Sequence, residues 1–220
     1  MFTVEEVAHL NNNWIAIVFV VILLILAVLN IFFGARLYRT NQMLLSKSYV
    51  LIYFNKEKGK IFSGFQLLMF VVQILTISLF LYLAGMYLNI KKVPSGFDTY
   101  LIIIEVVGGY QVLRYLLGYL LAILFKLKNQ FFKISFDKLS YLNTIVLWTL
   151  PLLLLSSYIV NFKLYMIKIT VLFFVIMLFF RYILVLINNK SIILNNLFYF
   201  ILYLCALEIA PLILILKLTI

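Results

Sequence analysis

Two opposite charges stand in apolar surroundings: Glu208, within "CALEIAP" at 205–211, and Arg114, within "GGYQVLRYLLGYLLAILF" at 108–125. In hydrocarbon, an Arg at a helix centre costs ~2.5–3.5 kcal/mol on insertion scales, so such a group is expected to be paired rather than left in lipid. Glu208 lies 11 residues into the apolar run that begins at 197, a depth of roughly 16 Å at ~1.5 Å per helical residue. Arg114 lies 11 residues before the end of its own run at 125, which gives a matching depth if the two helices run in opposite directions. Gln73 reaches the same level in a third run, and Gln111 stands one turn from Arg114. Pro211 lacks an N–H and leaves the carbonyl of Leu207 free beside Glu208, while Pro151 introduces a second kink at a similar depth. Gly108 and Gly109 remove side-chain bulk ahead of Arg114 and allow close helix approach.

This constellation supports an ion pair between Arg114 and Glu208 in a polar layer with Gln73 and Gln111. Two consequences stay open. The pair either fixes helix register and packing, or it supplies a protonatable carboxylate on an ion path. Glu105 and Arg181 are secondary candidates: Glu105 lies nearer the outer end of its span, and Arg181 is placed to snorkel toward headgroups. Asp98 and Asp137 read as loop residues on opposite sides, which argues against an intramembrane aspartyl dyad.

Other chemistries lack their parts. The single histidine, His9, is in the N-terminal tail, so neither a metal cluster nor a Ser-His-Asp set is expected. No phosphate-binding glycine motif occurs, and "GGYQ" does not make one. No cofactor is implied. The single Cys205 allows no intrachain disulfide.

The elements that must hold these residues follow from composition. With 66% hydrophobic and 11% charged residues in 220, the chain reads as an all-α, polytopic membrane helical bundle forming one domain. Six apolar runs of spanning length stand at about 14–33, 62–88, 100–125, 142–160, 166–187 and 197–216. The leading "MFTVEEVAHLNNN" has two acids and no Lys or Arg, unlike a cleaved signal, and Thr3 with Glu6 has the pattern of a capping box, so the stretch reads either as a short interfacial helix or as a frayed tail.

Lys and Arg divide twelve to five between the two sides, with Arg114 inside a span. The richer side holds Arg36, Arg39, Lys126, Lys128, Arg181 and Lys190 among others, and the poorer side holds Lys91, Lys92, Lys163, Lys168 and Lys217. By the positive-inside rule the basic loops are cytoplasmic and both termini periplasmic. The net charge of +11 then serves topology and contact with anionic lipid headgroups; a nucleic-acid partner is not expected. Two connections have patterns of their own. "SYVLIYFNKEKGKIF" reads as a surface hairpin, and "KNQFFKISFDKLSYL" as an alternating interfacial segment.

The segment "LFYFILYLCALEIAPLILIL", with "FQLLMFVVQILTISLFLYL" and "GGYQVLRYLLGYLLAILF", resembles an uncharacterised family of small polytopic bacterial inner-membrane proteins. That family is a domain of unknown function, common in gliding and type IX-secreting bacteria. The resemblance implies an inner (cytoplasmic) membrane address and draws attention to Glu208 and Pro211, without bringing an activity. The leading functional expectation is a non-enzymatic accessory or scaffold subunit with a membrane-protein partner. The competing one is a small proton-linked transporter or channel using Arg114, Glu208, Gln73 and Gln111. A third, a lipid-modifying enzyme, would rest on Glu105 and Tyr residues.

Overall fold

Hydrocarbon leaves the backbone no water to bond, so an apolar chain crosses it as helices that satisfy their own N–H and C=O groups. A computed structural model describes residues 13–43, 63–87, 96–159 and 162–190, and they form five long helices. These are α1 (Asn13–Asn41), α2 (Gly64–Tyr87), α3 (Phe97–Leu124), α4 (Lys128–Tyr158) and α5 (Lys163–Asn188). Each is long and apolar enough to span a membrane. The sixth expected span, 197–216, the hairpin at 48–62 and the N-terminal capping box lie outside the described residues.

Cross-helix contacts establish an up-and-down order. Trp14 near the start of α1 meets Tyr82 near the end of α2 at 5.0 Å, and Phe33 meets Phe65 at 5.9 Å, so α1 and α2 are antiparallel. Phe19 lies 6.4 Å from Tyr158, and Thr144 donates to the Thr40 carbonyl at 2.7 Å, so α4 also runs against α1. Phe80 on Phe174 at 4.5 Å sets α5 against α2. Between α3 and α4 the chain reverses within 125–127. Lys126 adopts the left-handed region at φ 56, and the N–H groups of Lys126 and Leu127 return to the carbonyls of Ile123 and Ala122. This is the doubly bonded helix stop in which glycine usually takes the left-handed place.

Two residue periods choose the inward faces. Ile15, Ile22, Leu29 and Arg36 recur every seven residues and are buried along α1, and Phe65, Val72 and Leu79 do the same on α2. A sevenfold repeat keeps one stripe of a helix toward its neighbours. α2 touches all four other helices and is the axis of the bundle. Its far end carries an aromatic group in which Trp14 lies 5.7 Å from Phe97 and 5.2 Å from Tyr100. Tyr100 donates its hydroxyl to the Leu75 carbonyl at 3.3 Å.

Three expectations are corrected. α1 continues past residue 33 as helix to Asn41, with a break at Phe33 (φ −135°, ψ 29°), so Arg36 and Arg39 are helical rather than loop residues. The segment 128–142 is the first part of α4, not an alternating interfacial strip. Buried Phe131, Ile134, Lys138 and Tyr141 fall at helical steps of three and four, a period that the alternation of Phe and Ile concealed. Asp137 and Asp98 consequently sit on helices. The chain runs through Pro151 within α4, with the proline ring on the exposed side.

The antiparallel order places Arg36, Lys128, Arg181 and Lys190 at one end of the bundle, and Asp98, Lys163 and Lys168 at or toward the other. Cysteines placed singly at Lys126 and Lys190, in a background with Cys205→Ser, should label from one face of the membrane, and those at Asp98 and Lys163 from the other. Labelling of positions 126 and 163 from the same face by an impermeant reagent would contradict the alternating order.

Candidate functional site

The buried polar side chains gather toward the basic end of the bundle, where α2, α4 and α5 meet. α4 supplies most of them. Asp137, Ser140, Tyr141 and Thr144 stand at steps of three and four on one stripe, and Asn143 stands one turn from Ser140. All five are buried. A polar stripe at this spacing on a lipid-spanning helix must face protein, because lipid offers no partners for it.

Each stripe residue meets a different neighbour. Toward α2, the Gln73 side-chain amide donates to Asn143 Oδ1 and, at 3.4 Å, to the Leu139 carbonyl. Toward α5, Asn189 Nδ2 donates to Asp137 Oδ2 at 2.8 Å and also reaches the Val185 carbonyl at 3.1 Å. Asn188 Nδ2 donates to the Tyr141 hydroxyl at 2.7 Å. Toward α1, Thr144 bonds the Thr40 carbonyl, and Trp148 Nε1 donates to Asn41 Oδ1 at 2.6 Å. α4 is thereby joined to three helices through side chains that sequence reasoning passed over. The signal available to find them was the stripe itself, Asp137-Ser140-Tyr141-Thr144.

Arg181 is the clearest correction among the candidates. Instead of snorkelling to headgroups, it is buried, and its Nε donates to the Lys138 carbonyl at 3.1 Å. Its position four residues before Val185 and eight before Asn189 puts it on the stripe that α5 turns to α4, which directs the side chain inward. At the base of α1 and α2, Arg36 rests its guanidinium 4.2 Å over the Phe65 ring and donates to Ser63 Oγ at 3.3 Å. That stacking lets a buried cation keep an electron-rich face and one hydrogen bond.

The other expected residues divide between two places. Gln73 is fully buried and makes its bonds to α4. Gln111 and Arg114 are half-buried on α3, while Glu105 is exposed there. Gly108 faces α2, with the Ile74 methyl 3.6 Å from where a Cβ would stand, and Gly109 faces open space. Glu208 and Pro211 lie outside the described residues. The geometry can hold four helices in one register and keep a carboxylate inside the protein, bonded through one oxygen to Asn189.

If the Gln73–Asn143 bond sets the α2–α4 register, Gln73→Leu alone should strand the Asn143 amide and cost about 1–3 kcal/mol. Gln73→Leu with Asn143→Leu should cost less than the sum of the two single changes. A double-mutant cycle on detergent-solubilised protein, followed by denaturant or thermal unfolding, measures the coupling, and additive losses would show that the two amides act independently.

In a comparison with known families, the one described as "Domain of unknown function (DUF4271)" matches residues 15–219. No curated protein and no solved structure matches the chain.

Proposed function

The chain belongs to the DUF4271 family, whose function is unknown, and we propose that it is a non-enzymatic, multi-pass inner-membrane protein serving as an accessory or scaffold subunit. One observation carries this reading. In its apolar spanning stretch α3 is 11% buried, against 56% for α2 and for α4 and 17% for α5, and it carries Glu105, Gln111 and Arg114. Charged groups at membrane depth are costly when they face lipid. A lightly covered helix with such groups is suited to being covered by further protein. This reading keeps the expected pairing of Arg114 with Glu208 and adds a partner helix that meets Glu105.

The basic end of the bundle supports a cytoplasmic placement of that end, where Lys126, Lys128 and Lys190 meet anionic headgroups. Lys128 also stands 5.8 Å over the Tyr119 ring and 5.7 Å over the Phe132 ring, a geometry in which apolar rings enter the interface and the ammonium stays at headgroup level. A second reading, a proton-linked transporter, is favoured by a different observation: the carboxylate of Asp137 kept inside the bundle beside Asn189.

A cycle at Arg114 and Glu208 tests the scaffold reading. Removing one member of a buried ion pair costs ~3–5 kcal/mol, whereas replacing both by apolar residues is much milder. Arg114→Leu should therefore be less stable alone than together with Glu208→Leu, and the double variant should recover both thermal stability and partner co-purification. Glu208→Gln and Asp137→Asn separate the readings, since a scaffold retains its partner in both and a proton path through either carboxylate loses transport in the matching variant. Additive stability losses would show that the pair does not form. Repeated isolation of the parent protein as a lone monomer in mild detergent would overturn the scaffold role.

A further inference from the structure

The stripe on α4 holds more hydrogen-bonding capacity than its protein partners use. Asp137 Oδ1, Ser140 Oγ, Asn143 Nδ2, Gln73 Oε1 and Asn189 Oδ1 are buried and have no hydrogen-bond partner among the described residues. Gln66 is buried with both of its amide atoms in that state. Each buried polar atom left without a partner costs about 1–3 kcal/mol, so several in one place are a strong demand for an occupant that bonds them.

Their positions connect. On α4, Ser140 stands three residues after Asp137 and three before Asn143, so each step is about 4.5 Å along the axis and about 60° around it. Ser140 is therefore the bridge between the side of α4 that faces Asn189 and the side that faces Gln73. On α2, Gln66 precedes Gln73 by seven residues and shares its face. α2 and α4 both run against α1, so they are parallel to each other. Stepping back seven residues from the Gln73–Asn143 bond brings Gln66 level with Phe136, next to Asp137. The unpaired atoms thus form a line about 9 Å long from Asp137 to Asn143, at ~1.5 Å per residue, with α2 closing one side and α5 the other.

The atom types select the ligand. The set mixes donors (Asn143 Nδ2, the Ser140 hydroxyl) with acceptors (Asp137 Oδ1, Asn189 Oδ1, Gln73 Oε1). Exchanging O and N in both amides of the Gln73–Asn143 bond reverses its donor and still leaves both kinds. A bare cation satisfies acceptors alone, and an anion donors alone. Water has two donors and two acceptors and satisfies both. Buried waters typically make about three bonds to polar groups that protein leaves unmatched. We propose that α2, α4 and α5 enclose a file of bound water reached from the basic end of the bundle. It begins at Asp137, Asn189 and Gln66 and passes Ser140 to the Gln73–Asn143 bond. Beyond that bond α4 turns apolar on this side, with Ile145, Val146 and Leu150 all buried, and α2 alone offers unmatched polar atoms there, the hydroxyls of Thr76 and Ser78, so the file has no polar wall on α4 past Asn143. This inference is independent of Arg114 and Glu208.

The test uses thiol reactivity in full-length protein carrying Cys205→Ser. The thiolate is the reactive form, and burial in apolar surroundings suppresses it by up to several powers of ten. Ser140→Cys, which preserves size, should react with a small hydrophilic thiol reagent added on the basic side at least about tenfold faster than Ile145→Cys. It should react more slowly when the reagent is confined to the opposite side. Equal, slow modification of both positions would overturn the proposal, as would modification of Ser140→Cys at equal rates from both sides. A measurement on the unsubstituted protein guards against altered folding. With Asn and Gln labelled by ¹⁵N, the Asn143 and Asn189 side-chain amides should show magnetisation transfer from water, and its absence at both would show a dry interior.

Discussion

The bond from Gln73 to Asn143 fixes where two parallel helices stand along each other, and other features of the basic end follow from it. Between apolar side chains in lipid, sliding by a turn exchanges one van der Waals contact for another of similar worth. A polar pair behaves differently, because a slip leaves an amide on each helix without a partner where lipid cannot supply one. On the other side of α4 the same logic holds, where Asp137 meets Asn189, Tyr141 meets Asn188 and Arg181 reaches the Lys138 carbonyl. The same argument explains why polar residues in the described bundle mark the inside while many large apolar ones mark the outside, as with Leu113 and Leu116 on α3 and Phe179 on α5.

The two ends of the bundle are held differently. At the end formed by the start of α1 and the end of α2, Trp14, Tyr82, Phe97 and Tyr100 interlock through edge and tilted ring contacts. Rings of this kind bury large areas and still tolerate an interfacial setting through their polar tips. At the opposite end ring contacts such as Phe33 on Phe65 and Phe131 beside Tyr115 and Tyr119 are joined by hydrogen bonds and by Arg36 stacked on Phe65. A hydrogen-bonded seam specifies one arrangement more sharply than ring packing does.

Membership of the DUF4271 family brings the chain no activity, so function has to be argued from two regions. They answer different needs. α3 exposes Glu105 and half-buries Arg114 on a helix that the described bundle covers lightly, and a covering helix is the natural remedy. The seam encloses unmatched donors and acceptors, and water is the ligand that fits them. The proposed scaffold role and the proposed water file would occupy different parts of the molecule.

The all-α membrane class was legible in composition and run length, because spanning lipid demands about twenty apolar residues per helix and forces them into helices. Among the described residues, Lys and Arg of α1, α4 and α5 fall at two ends because successive helices alternate in direction. The five described helices overlap five of the six runs read from the sequence. The extensions were not legible. α1 continues to Asn41 and α4 begins at Lys128, beyond the apolar runs, because polar helical turns at a bundle's end are stabilised by what they touch. Thr40, Asn41 and Asp137 find partners on other helices, and hydropathy does not register them. Depth counting ranked Gln73 with Arg114 and Gln111, but distance along a helix says nothing of the direction in which a side chain points. Packing decided that Gln73 faces α4 and that Arg181 turns inward, because only the assembled neighbours determine which side of a helix is protein and which is lipid.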